Sequence, residues 1–106
     1  MDGWIRVGTT SELLPGESTV VWDGDTPILV VNLEGDFHAV EDKCTHEDFE
    51  LSAGAVDAAE GSVECVLHGA RFDLRSGRAL CGPAYVPVVR FPVRQVDGVV
   101  WTRDDR

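Results

Sequence analysis

The chain is short of several things, and each shortage removes a class of function. No run approaches the ~18 consecutive apolar residues a membrane-spanning helix requires, although 43% of the residues are hydrophobic. The opening MDGWIRVGTT has neither the basic n-region nor the apolar h-region of a secretory signal, so the expected location is the cytoplasm. Basic residues are scarce: nine Lys and Arg stand against 19 Asp and Glu, a formal net charge of −10. Without a basic stripe to neutralise phosphates, nucleic acid and anionic membranes are poor partners. An acidic carrier suits basic protein partners instead, unless the charge serves only solubility. Cysteines number only three, an odd count, and in a reducing cytosol thiols are more often metal ligands than disulfides. At least one must be left over. With 106 residues and no shift in composition, there is room for one domain, 1–106, and one modest core.

What the chain does hold is a series of short β-branched and aromatic runs: STVVW, PILVVNL, FHAV, SVECVL, ARFDL, VPVVRFPV and VVWTR. Asp23-Gly24, Gly35-Asp36, Ser76-Gly77 and Asp97-Gly98 punctuate them as tight-turn signals. The pattern predicts an all-β, antiparallel fold. Only TSELLPG allows a helical turn, which Pro15-Gly16 would end early. A third irregular loop, CGPAYVPVV, carries Pro83 and Pro87 and is placed to fold back over its neighbours.

The densest chemistry lies in CTHEDFELSAGAVDAAEGSVECVLHG, residues 44–69. It holds two tight pairs, Cys44-x-His46 and Cys65-x-x-His68, on loops beside predicted strands. The segment 44 to about 80 therefore reads as a small loop-rich subdomain set into a larger sheet. A lone Cys or His is usually structural, but four together at this spacing form a ligand set. Zinc is the plain candidate, since Cys₂His₂ is a common structural set that stabilises small folds, and a zinc-stabilised β interaction module is the alternative function. Zinc fingers, however, pair like with like, often on a helix, whereas each pair here is mixed. A mononuclear oxygenase iron asks for two His and a carboxylate with open positions.

A [2Fe–2S] cluster with two Cys on one iron and two His on the other accounts for the mixing, because each loop then gives one ligand to each iron. Two ferric ions and two sulfides sum to plus two, and two thiolates bring the oxidised site to zero. Replacing two further thiolates by neutral imidazoles makes uptake of one electron easier and raises the potential above that of a four-Cys cluster. Each imidazole also keeps one ring nitrogen for solvent or a partner, so electron uptake couples to protonation at high pH.

CTHEDFELSAG, then CVLHGARFDLRSG, then CGPAYVPVVRFPV resemble the Rieske iron–sulfur family, in particular the ferredoxins of bacterial aromatic ring-hydroxylating dioxygenases. The resemblance covers nearly the whole chain. It implies a Rieske-type antiparallel β sandwich with one [2Fe–2S] cluster. Cys44 and Cys65 would bind the buried iron, and His46 and His68 the exposed iron that takes the electron. It further implies a carrier that is not itself an enzyme and acts as a monomer. Electrons would come from an NAD(P)H-dependent flavoprotein reductase and go to a terminal oxygenase in the catabolism of aromatic compounds. The high-potential branch resembles C-T-H-L-G-C and C-P-C-H-G-S-x-Y, with an inter-loop disulfide and hydroxyl donors to the cluster. Here Phe49 and Leu67 stand at the extra cysteines, Ala70 at the serine and Phe72 at the tyrosine. Those absences predict a potential near the lower end of the about −150 to +300 mV Rieske range. Rieske domains of terminal oxygenases continue into a catalytic domain, while this chain stops at Arg106. The small subunit of a nitrite-reductase-like complex is a second alternative function, but that relative commonly lacks the ligands that are present here.

Among the remaining residues, Cys81 is expected to be a buried small residue under the proline loop, and His38 to point to solvent from a strand. Trp4, Trp22, Trp101 and Phe91 read as core or sheet-face residues. Leu67, Pro83 and Tyr85 either pack plainly or form an apolar ring around the exposed histidines.

Overall fold

The computed structural model describes residues 3–45, 50–66, 69–81 and 86–106. Its strands are β1 Ile5–Thr9, β2 Ser18–Asp23, β3 Thr26–Leu33, β4 Asp36–Glu41, β5 Val56–Asp57, β6 Ser62–Glu64, β7 Arg71–Asp73, β8 Ala79–Cys81, β9 Arg90–Phe91, β10 Val93–Val96 and β11 Val99–Thr102. They form three antiparallel sheets, in the orders β1-β11-β10, β2-β3-β4-β9 and β5-β6-β7-β8.

The β2-β3-β4-β9 sheet is the base, because its central strand is buried on both faces. PILVVNL is nearly continuous hydrophobic sequence, and side chains alternate between faces along a strand. Ile28 and Val30 enter one core with Leu13, Phe37, Ala39, Phe91 and Val100. Leu29, Val31 and Leu33 enter a second with Val40, Leu51, Val63, Phe72 and Leu74. The register agrees, since Leu29 lies opposite Val40 and Val30 opposite Ala39. Each fully buried aliphatic side chain contributes on the order of 1.5–3 kcal/mol, so this strand binds both layers. Asn32, the one polar residue in the run, is satisfied: its Nδ2 donates to Leu13 O at 2.8 Å and its Oδ1 accepts from Gly35 N at 2.7 Å. That second bond braces the β3–β4 turn, where Glu34 (φ 55°) and Gly35 (φ 100°) both adopt the left-handed conformation a two-residue hairpin needs.

The runs recognised in the sequence become β2, β3, β4, β6, β7, β9 with β10, and β11, with three departures. TSELLPG holds no helical turn; Glu12 and Glu17 instead accept hydrogen bonds from Thr9 N and Leu14 N, each at 2.8 Å, and shape two turns. SVECVL was expected as one strand, but β6 stops at Glu64, so Cys65 leaves the sheet. The strands β1, β5 and β8 and a 3-10 turn at Leu51–Ala53 carry too few periodic residues to stand out in sequence. No described helix is long and apolar enough to cross a membrane.

Candidate metal centre

The first ligand loop leaves β4, where Asp42 N donates to Pro27 O at 2.9 Å and Glu41 N to Val89 O at 2.9 Å. Both pin the residues just before Cys44. Asp42 is buried at 4% exposure, and its carboxylate accepts from Ser52 N at 2.6 Å and from Ser52 Oγ at 2.7 Å. A carboxylate so buried must be hydrogen-bonded to be tolerated. The pair thus closes the two ends of the segment that carries Cys44 and, in sequence, His46.

The second loop leaves β6, and Cys65 N donates to Ala70 O at 2.6 Å, closing a short turn. Gly69 within it has φ +71°, a conformation other residues adopt only with strain. The loops meet through Gly54: a Cβ there would lie 1.6 Å from Glu64 O, so only glycine lets the backbones approach this closely. Glu64 N then donates to Ala55 O at 2.9 Å. The third loop folds onto the first, as expected, since Thr45 Oγ1 donates to Val86 O at 2.6 Å.

Cys44 and Cys65 share one buried core with Ala70 and Phe72, and none of the three cysteines is in a disulfide. Cys44 is 1% exposed and Cys65 fully buried. The Ala70 and Phe72 side chains are both fully buried among apolar neighbours. His46 and His68 lie outside the described residues, as do Phe49, Leu67, Pro83 and Tyr85. Next to those positions, Val66 and Val86 are 56% and 60% exposed. A groove of about 430 Å³ lined by Ala53, Gly54, Ala55, Glu64 and Val66 runs beside the Cys65 loop.

Two expectations are corrected. His38 does not point to solvent: it faces Val31, on the face of the base sheet that the Cys44 core covers, and its Nε2 is buried with no hydrogen-bond partner. Burial, and then the nearby Arg75 and Arg90 guanidinium groups, hold its pKa below the usual imidazole value. Cys81 is half-buried and not fully buried, and its Sγ donates to Gly69 O at 3.5 Å. Of the large aromatics, Phe91 is core, Trp4 and Trp101 are half-buried, and Trp22 is 59% exposed. Sequence reading missed Asp42, Ser52, Thr45, Gly54 and the contacts of Cys81. Asp42 alone carried a signal, as a carboxylate between a predicted strand and the first ligand.

A two-sided β base that holds two thiols in a core beneath converging loops is the architecture of a Rieske domain. Residues 3–92 match the Rieske [2Fe–2S] domain, and the chain belongs to that family. It is 40% identical over 89 residues to the ferredoxin component of biphenyl 2,3-dioxygenase from Rhodococcus jostii (strain RHA1), covering 84% of this chain and 81% of that one. It is 36% identical over 97 residues to the anthranilate 1,2-dioxygenase ferredoxin subunit of Burkholderia cepacia, covering 92% and 88%. Among solved structures, the ferredoxin of carbazole 1,9a-dioxygenase from Nocardioides aromaticivorans IC177 superposes with a TM-score of 0.92 at 27% identity, over 98% of this chain and all of the other. The complex of reduced oxygenase and oxidised ferredoxin of carbazole 1,9a-dioxygenase contains a chain matching with a TM-score of 0.90 at 32% identity, over 97% and 94%. The fold is thus Rieske-type and all-β. The group a Rieske domain carries is a [2Fe–2S] cluster, and two buried thiols with no disulfide, one on each loop, fit its buried iron.

Proposed function

We propose that this chain is a one-electron carrier of an aromatic ring-hydroxylating dioxygenase system. It would take electrons from an NAD(P)H-dependent flavoprotein reductase and pass them to a terminal oxygenase, as a monomer in the cytoplasm. Residues 1–106 form one Rieske domain, with a cluster-binding subdomain at about 44–80 set into the basal sheets. Cys44, His46, Cys65 and His68 are the ligands. The observation that carries the reading is the pair of thiols in one buried core, each opening one of two loops that meet at Gly54. The relatives named as dioxygenase ferredoxins support it.

When bound, the cluster supplies a site for one electron. The chain's own residues set the conditions around it. Cys44 and Cys65 fix the inner side in a dry core, and Val66 and Val86 give the loop tips an apolar surface for docking. The zinc module has no observation in its favour. The purified protein should contain two irons and two acid-labile sulfides per chain, whereas one zinc and no sulfide would sink the reading. Because Ala70 and Phe72 carry no hydroxyl, the potential should lie near the low end of the family range. Ala70→Ser with Phe72→Tyr is therefore expected to raise the midpoint in redox titration, and an unchanged midpoint would count against that account. Electron delivery to the oxygenase should slow with added salt if the −10 charge steers docking. A salt-independent rate assigns the charge to solubility.

A further inference from the structure

On the inner side of the second ligand loop, β7 and β8 pair Arg71 with Cys81, and the register then shifts so that Phe72 faces Ala79. The extra residue, Leu80, is thrown outward to 42% exposure. Such bulges re-aim the side chains beside them. Here the re-aimed side chain is Cys81, whose S–H donates to Gly69 O at 3.5 Å. Gly69 directly follows His68 in sequence. Across the ladder Cys81 lies opposite Arg71, and its sulfur, ahead of Glu60, raises the pKa of the guanidinium, whose Nη1 donates to the Glu60 carboxylate at 3.3 and 3.4 Å. A thiol is a weak donor, but a cation across the ladder from its sulfur polarises the S–H toward the carbonyl.

We infer that Arg71 and Cys81 form a positioning bracket for the second ligand loop, fixing the Gly69 peptide next to His68. The inference rests on the ligand assignment above. Arg71 acts through Cys81 and not as a bare charge, because Glu60 offsets the guanidinium and the ion pair is 40% and 42% exposed, where such pairs are screened. Plain packing of a small residue predicts instead that alanine serves as well as serine at position 81.

The test compares Cys81→Ala, Cys81→Ser, Arg71→Gln and the Cys81→Ala/Arg71→Gln double variant with the natural protein. The readouts are iron and sulfide content, the rate of cluster release to an iron chelator, and the g values of the reduced protein. A natural protein without two irons and two sulfides overturns the ligand assignment itself, separately from the bracket. Given a loaded natural protein, Cys81→Ala should speed release about fivefold, the loss of one net hydrogen bond, Arg71→Gln should speed it by up to that much, and each should shift the g values. Cys81→Ser should restore both readouts, and the double variant should release no faster than the faster single one. Failure of Cys81→Ala to load while Cys81→Ser loads also supports the bracket. It is overturned if neither position-81 variant loads, if Cys81→Ala matches the natural protein, if serine behaves like alanine, or if the two single effects multiply.

Discussion

The two faces of the base sheet are built in opposite ways. On the Ile28/Val30 face the covering layer is a three-stranded sheet whose β1–β11 and β10–β11 ladders each align four residue pairs, so backbone pairing closes the core. On the Leu29/Val31/Leu33 face the covering strands β5 to β8 are only two or three residues long. Above its apolar core, that side is tied by contacts between loops: Asp42 with Ser52, Thr45 with Val86, and the Gly54 approach to Glu64. Strands this short are marginal alone. A cluster held by both loops would add cohesion to this side, since binding free energy at a structural site is also folding free energy.

The largest expected effect follows from removing the cluster with chelator and reductant. Amides in the β6–β7 ladder, such as those around Val63 and Phe72, should lose hydrogen-exchange protection, while the β3–β4 ladder around Val30 and Ala39 keeps it. Uniform loss across all three sheets would erase the contrast. Next in size are two cavity-forming changes, one in each core. Phe72→Ala should cost about 3–5 kcal/mol and Ile28→Ala about 2–5 kcal/mol in denaturant unfolding, as both side chains are fully buried. Only Phe72→Ala should also speed cluster release to a chelator, because it shares a core with both cysteines. Equal release from the two variants would mean that the faces are mechanically one unit.

The same asymmetry explains what was legible in the sequence. PILVVNL and FHAV mark the base strands β3 and β4, and VVWTR the covering strand β11, because such runs carry their own periodicity, and Asp97-Gly98 marks a turn with both φ values positive. The spacing of the proposed ligands is readable because C-x-H and C-x-x-H-G are local, and the structure places Cys44 and Cys65 in one core. The strands β5 and β8 are not readable, since two or three residues hold at most one and a half periods of strand alternation. Gly54 was invisible for a different reason: its φ is −94°, so nothing in its own backbone marks it, and the demand for glycine comes from Glu64 O across the loop. Cys81 was legible as the leftover thiol but not as a partner of Gly69, because the register shift after Arg71 decides where its sulfur points.

The smallest expected effect concerns His38, which lies at the seam between the two constructions. It projects from the long-stranded base toward the short-stranded side, where Arg75 and Arg90 face it along with Asp36 and Asp73. Its native pKa lies below the ordinary 6.5, chiefly through burial and then through the two arginines, with the aspartates opposing. The folded protein therefore binds fewer protons at this site than the unfolded chain. Stability from this residue is complete at neutral pH, falls as pH drops below about 6.5, and stops changing once the depressed native pKa is passed. Denaturant midpoints of the loaded protein between about pH 7.5 and pH 5 should fall more steeply for the natural protein than for His38→Gln. Comparing the two removes the contribution of His46 and His68, which both proteins share. Parallel slopes would show that the seam tolerates a third cation beside Arg75 and Arg90. The loop side would then accommodate a charged imidazole at the seam without loss of stability.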